Sequence, residues 1–162
     1  MKPHTSIFRL LGLTLALVGL TFSAVTSAAE RGTSRQAKVM LDNAVHVLEQ
    51  QGPKQAFAKF NDPQGGFIQN DLYIFAIDMD GVYQATGANP KLVGQSLAQT
   101  TDAAGKPIGR EILTLADKIG YGIIEYEWLN RHTNDVEHKF SRIRKVGDYV
   151  LGVGFYLPNE EQ

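Results

Sequence analysis

Cysteine is absent from the 162 residues. That excludes a disulfide framework, a thiolate metal site, a cysteine nucleophile and a lipid-modified cysteine anchor. An excess of one charge is missing too: 16 lysines and arginines face 17 aspartates and glutamates. Such a balance lacks the attraction to phosphate on which general nucleic-acid binding relies, so no nucleic-acid partner is expected. A chain with 43% hydrophobic and 20% charged residues is neither disordered nor fibrous in composition. Long apolar runs are also scarce, with one exception at the N terminus.

That exception is Leu10 to Phe22. It is preceded by Lys2 and Arg9 with no acidic residue, and followed by the small residues of SAVTSAAE. Positive region, short apolar core and small-residue cleavage site follow in the order of a secretory signal peptide. Residues 1–29 are therefore expected to direct export and to be removed before Glu30, with Ser27 and Ala29 flanking the cut. The alternative is an N-terminal membrane anchor, since Ile7 to Val25 is long enough for a thin bilayer. Either way the remainder, residues 30–162, is expected to be a periplasmic or secreted domain. It is large enough to bury one core without staples. No later run reaches membrane length, so any signalling half is expected to be a separate molecule.

Ser34 to Gln51 has Ala37, Met40, Leu41, Ala44, Val47 and Leu48 at three- and four-residue steps, which predicts an amphipathic helix. Gly52-Pro53 breaks it, and Lys54 to Phe60 forms a second, short helix. Strands are predicted at Leu72 to Asp78, Val82 to Thr86, Gly122 to Leu129, Glu137 to Val146 and Tyr149 to Tyr156. The first of these, LYIFAID, is apolar at both parities, as a strand covered on both faces requires. Asp80-Gly81 and Gly147-Asp148 are hairpin turns. The connection after Asn89-Pro90 is too long to lack structure, and Ile108, Ile112, Leu115 and Ile119 place a helix within Pro107 to Ile119. Helices followed by antiparallel strands make an α+β pattern. One sheet face is expected to carry the long helix and the other the long connection, with a cavity between connection and sheet.

The segments DLYIFAIDMDGVYQATGANPKLVGQSL, TDAAGKPIGREIL, GIIEYEWLN and HKFSRIRKVGDYVLGVGFY resemble, in this order, the single Cache domain family of extracytoplasmic sensors. The resemblance runs from about Gly65 to Tyr156 through D-x-D-G, N-P-x-L-x-G, D-x-x-G-K, Y-x-W, K-x-S and a closing G-x-G-x-Y. It implies a long N-terminal helix packed on a five- to six-stranded antiparallel PAS-like sheet, with no catalytic activity. Binding of small organic ligands, often short carboxylates, is the implied task, here in the stand-alone secreted form. Two positions depart from the pattern. Thr86 stands where many members have histidine, and Arg142 where the family has tyrosine after K-x-S.

Tyr73, Phe75, Tyr126 and Trp128 are candidate pocket walls, because tyrosine hydroxyls and an indole N–H orient a ligand without burying a charge. Plain core packing is the rival for each, and the resemblance is what singles out Tyr73 and Trp128. Thr86, Gly87 and Asn89, with the NPKLVG segment, would form the rim. Lys139 and Arg142 have opposite parity on one strand, so only one of them can face the cavity. The K-x-S match favours Lys139 as anion partner, with Ser141 on its face as a donor. Arg142 is the rival, able to grip a carboxylate with two bonds. Arg110 and Arg131 read as surface charges.

Glu125 and Glu127 lie about 7 Å apart on one strand face, within the roughly 6.5–9.5 Å of inverting glycosidases. A solvated face explains them more simply, and no enzyme is predicted. His132, Asp135 and His138 read as a loop entering a strand rather than a metal site. Asp78-Met79-Asp80-Gly81 starts like a calcium loop but lacks its later ligands. No cofactor fingerprint is present. The expected partners are a small organic anion and a membrane receptor or sensor kinase, with a homodimer through the N-terminal helix as a further option. The competing expectation is a structural or protein-interaction domain with no bound metabolite.

Overall fold

Thr33 starts the first helix by a reciprocal cap. Its Oγ1 accepts from the Gln36 N–H at 3.2 Å, and its own N–H donates to Gln36 Oε1 at 2.8 Å. Caps of this kind stabilise a helix by about 1 kcal/mol. The computed structural model describes residues 31–157, so the expected export segment lies outside the described residues. Helix α1 (Ser34–Asn61) is interrupted at Gly52, where φ is 74° and ψ 169°. A backbone with positive φ suits glycine, and Pro53 restarts the helix with its fixed φ. The predicted break is therefore a kink between two arms. Ala37, Met40, Leu41, Ala44, Val45, Leu48, Ala56 and Phe60 form the buried stripe.

Among the described residues six strands follow: β1 (Ile68–Gln69), β2 (Leu72–Asp78), β3 (Tyr83–Thr86), β4 (Tyr121–Asn130), β5 (Asp135–Val146) and β6 (Tyr149–Tyr156). Their order is β1-β2-β6-β5-β4, with β3 also beside β2. Every pair is antiparallel. This is the expected α+β, PAS-like architecture. Strand β1 went unpredicted because two residues carry no periodicity. Alternation sorts the sheet into two cores. Leu72, Ile74, Ala76, Leu151, Val153 and Phe155 pack under α1. Phe75, Ile77, Ile124, Tyr126, Ile143 and Val150 face the other way. The two-sided apolarity of β2 follows from its central place.

The second core is closed by residues 87–120, which contain a 3-10 turn (Pro90–Leu92) and helix α2 (Ile108–Lys118). Leu97, Ile108, Ile112 and Ala116 turn inward from this cap. Asp102 fastens it. One carboxylate oxygen accepts from the N–H groups of Ala104 and Lys106 at 2.9 and 2.8 Å, and the other from Glu127 N–H on β4 at 2.9 Å. The ammonium of Lys106 adds a bond to the Glu125 carbonyl at 2.6 Å. Among the described residues no helix is long and apolar enough to cross a membrane.

Two glycines of β6 keep the floor of this second core flat. A Cβ on Gly152 would lie 2.1 Å from Phe75 Cζ, and one on Gly154 would lie 1.9 Å from Lys139 Cε. The closing G-x-G is thus a steric demand of the side chains lying across it. A rigid ring cannot step aside as a flexible chain can, so Gly152→Ala should destabilise by about 1–3 kcal/mol through overpacking. Urea denaturation measures this as a lower midpoint at unchanged slope.

The Asp102 bonds predict a response to acid. The Glu127 N–H bond is the first cause holding the Asp102 carboxyl below its ordinary value of 3.8, with the Lys106 and Ala104 bonds adding to it against desolvation. A lowered folded value means the contribution is complete above the unfolded value and fades as pH falls through the folded one. Amide protection at Ala104, Lys106 and Glu127 is expected to hold at pH 5 and to fall below about 3.8. Asp102→Asn should weaken protection at neutral pH and abolish the acid step.

Candidate functional site

Between the sheet and its cap lies a cavity of about 40 Å3. Its sheet walls are Tyr73 and Phe75 of β2, Tyr83 and Thr86 of β3, and Tyr126 and Trp128 of β4. Leu92, Leu97, Ile108 and Ile112 close it from the cap, and Ala88 and Arg131 complete the lining. The space holds a few water-sized groups. Aromatic and aliphatic surface dominates, with hydroxyls and, among the described residues, the single formal charge of Arg131.

Cross-strand register puts Lys139 on this face, because it pairs with Tyr126 on one side and Tyr156 on the other. It is 1% exposed. Its ammonium donates to the Tyr73 hydroxyl at 2.8 Å and lies 4.4 and 4.9 Å from the Tyr73 and Tyr156 ring centroids. Among the described residues no carboxylate forms an ion pair with it. A buried cation costs several kcal/mol in lost hydration. Each ring face returns about 2 kcal/mol and a charged hydrogen bond about 1.5–3 kcal/mol. These contacts offset the burial but add no net negative charge, so the positive field persists.

The hydroxyl directions follow. The Tyr73 oxygen accepts from Lys139, which leaves its own hydrogen to donate into the cavity. The Tyr126 hydroxyl lies 2.7 Å from Ser141 Oγ, and both residues are buried. Burial first of all pushes the phenols of Tyr83, Tyr126 and Tyr156 up, so they stay protonated. The walls are neutral donors standing in front of one ammonium.

Of the residues expected from sequence, Tyr73, Phe75, Thr86, Tyr126 and Trp128 line the cavity. Lys139 stands one hydroxyl behind the wall, and Ser141 holds Tyr126. Gly87 and Asn89 do not line it. Gly87 packs against Ile68 and Tyr73, and Asn89 Oδ1 caps the 3-10 turn by accepting from the Lys91 N–H at 3.3 Å. Arg142 is corrected: it lies on the α1 side, donating to Ser34 Oγ at 2.8 Å with its guanidinium 5.7 Å from the Phe155 ring. Strand alternation separates the two cations, and the structure resolves which one faces the cavity.

Arg131 does more than the surface charge expected of it. It is exposed, as a surface charge should be, yet it lines the cavity mouth from the β4–β5 hairpin. Only the hairpin register, with Asn130 opposite Asp135, brings it there. Tyr83 was also missed, since a tyrosine in a short edge strand carries no pattern of its own.

The paired glutamates serve His138. Its Nδ1 lies 2.8 Å from Glu127 Oε1 and its Nε2 3.4 Å from Glu125 Oε2. The Glu127 bond is the main cause raising the imidazole above its usual value, with Glu125 reinforcing it against partial burial. Both carboxylates lie on the α1 side of β4, away from the cavity. Among the described residues no three potential ligands converge on a metal site. Asp78 is used inside its own turn, accepting from the N–H groups of Asp80 and Val82 at 3.1 and 2.8 Å.

Known proteins share this fold. The family profile of Single Cache domain 2 matches residues 20–159. The structure of a methyl-accepting chemotaxis protein from Vibrio parahaemolyticus is similar at 20% identity and a TM-score of 0.64, over 75% of this chain and 86% of that one. A Cache chemosensory domain, solved as the structural basis for carboxylic acid recognition, is similar at 22% identity and TM-score 0.60, over 76% and 88%. A periplasmic sensor domain of a chemotaxis protein follows at 19% identity and TM-score 0.60, over 76% and 90%. Likeness at these identities is likeness of fold. No curated protein matches the chain. With the family profile covering helix, sheet and cap together, the chain belongs to the Single Cache domain 2 family of non-catalytic sensor domains.

Proposed function

We propose that the cavity holds a short monocarboxylate, and that the domain reports its presence outside the cytoplasm to a separate membrane signalling partner. The observation that carries this reading is a fully buried Lys139 with no carboxylate partner among the described residues, one hydroxyl away from an aromatic-lined space. An anion accepting from Tyr73 would sit about 5 Å from the ammonium, where attraction at an effective dielectric near 20 is roughly 3 kcal/mol. Arg131 at the mouth would supply the direct charged contact, and Phe75, Ile108, Ile112 and Trp128 would receive the carbon chain. The volume favours two or three carbons. Among the described residues no acidic side chain lines the space to take an amino group, which disfavours amino acids. The similar Cache domain studied for carboxylic acid recognition supports the same class.

Acetate and propionate should raise the melting midpoint, because a ligand specific to the folded state stabilises it. Acetamide and propionamide, with equal shape and no charge, should not. In isothermal titration, Lys139→Met keeps most of the stem volume and should weaken propionate binding roughly tenfold to a hundredfold, the range set by about 1.4–3 kcal/mol. Arg131→Gln should slow association and flatten its dependence on salt. Equal response to acids and amides would favour the competing reading, an interaction domain whose small cavity is filled by its own side chains.

Export is part of the proposal. Cleavage of the N-terminal segment before Glu30 would release the domain, and intact-mass measurement of the exported protein should find a chain beginning there. A mass retaining residues 1–29 would instead indicate the anchored form.

A further inference from the structure

The start of α1 is tied to the sheet at a place that also serves the cavity. Glu137, at the beginning of β5, accepts hydrogen bonds from both terminal nitrogens of Arg31, from Thr133 Oγ1 at 2.5 Å and from Asn130 Nδ2 at 3.3 Å. Its side chain is 17% exposed. Burial opposes ionisation of Glu137, yet the bonds from Arg31, Thr133 and Asn130 hold its carboxyl below the usual range. Next to Arg31, the Gly32 N–H donates to Asp71 Oδ1 at 2.6 Å.

Two of these donors belong to the β4–β5 hairpin. Asn130 ends β4 and Thr133 lies in the turn, with Arg131 between them at the cavity mouth. Glu137 therefore joins the segment that carries the mouth cation to Arg31, two residues before the helix cap. The spacing along the strands repeats the link. Glu137 is two residues before Lys139 on β5 and shares its strand face, and Asp71, in the turn just before β2, is two residues before Tyr73.

We propose that Glu137 couples occupancy of the cavity to the start of α1: an anion that draws Arg131 inward settles the hairpin and closes the Arg31–Glu137 clamp. The proposal rests on the cavity being an anion site. The open state has Arg31 in water and the first helical turn loosened, and the segment N-terminal to α1 leaves from there. Coupling of this kind is reciprocal. Ligand must tighten the clamp by the factor through which a closed clamp tightens ligand binding.

Hydrogen exchange of the purified exported protein tests it, with sodium propionate against sodium chloride at equal ionic strength. In the wild type, propionate is expected to slow exchange severalfold at residues 33–37. In Glu137→Gln and in Arg31→Met, which cut the clamp from either side, propionate should still bind, severalfold more weakly, without altering exchange at those residues. Lys139→Met should weaken propionate binding roughly tenfold to a hundredfold while exchange of the unliganded first turn stays at the wild-type value, which shows that the clamp itself is intact. Propionate binding to the wild type with no change at residues 33–37 overturns the coupling and leaves the cavity reading standing. Transmission that survives both clamp variants overturns it as well. No binding to the wild type by either acetate or propionate removes the cavity reading, and the coupling falls with it.

Discussion

The Lys139 ammonium lies in the middle of the sheet, over the backbone of Gly154 and between the rings of Tyr73 and Tyr156. Much of the surrounding sequence answers to that placement. Gly154 is glycine because the lysine stem occupies the volume of a side chain. Tyr73 must present its oxygen inward, which fixes where its proton goes. The adjacent buried pair, Tyr126 and Ser141, satisfies itself and makes no claim on the lysine. A charge held this way is tolerated rather than neutralised.

The cap completes the arrangement through a different kind of bond. Asp102 spends both carboxylate oxygens on backbone N–H groups, two within its own loop and one on β4. The connection is thereby fixed to the strand that supplies Tyr126 and Trp128. The apolar side chains of α2 then face the aromatic walls, and the enclosed space stays small. Its polarity comes from the sheet, and its closure comes from the cap.

Much of this was legible in the sequence, and for identifiable reasons. Regular elements such as β2, β6, α2 and the two arms of α1 were readable, the helices because burial repeats at three- and four-residue steps and the two strands because they are apolar at both parities. Opposite parity told Lys139 and Arg142 apart as a pair, although only the pairing with Tyr126 and Tyr156 decides which of them turns toward the cap. Arg131 was hidden because a turn has no periodicity, and its position depends on how two strands register. Asn89 and Gly87 drew attention through a motif, yet they shape the backbone of the rim rather than present side chains to the space. Arg31 carried no signal, since its partner is Glu137, more than a hundred positions away.

Strand β5 carries the two systems on alternate residues: Lys139, Ser141 and Ile143 toward the cap, and Phe140 and Arg142 toward α1. Point changes on one side can therefore accumulate without disturbing the other, which gives ligand preference room to diverge among relatives while helix packing is kept. Insertion or loss of a single codon within this strand is different. It would turn the ammonium toward α1 and a phenylalanine toward the tyrosines in one step, so length in β5 should be guarded by selection far more strictly than composition.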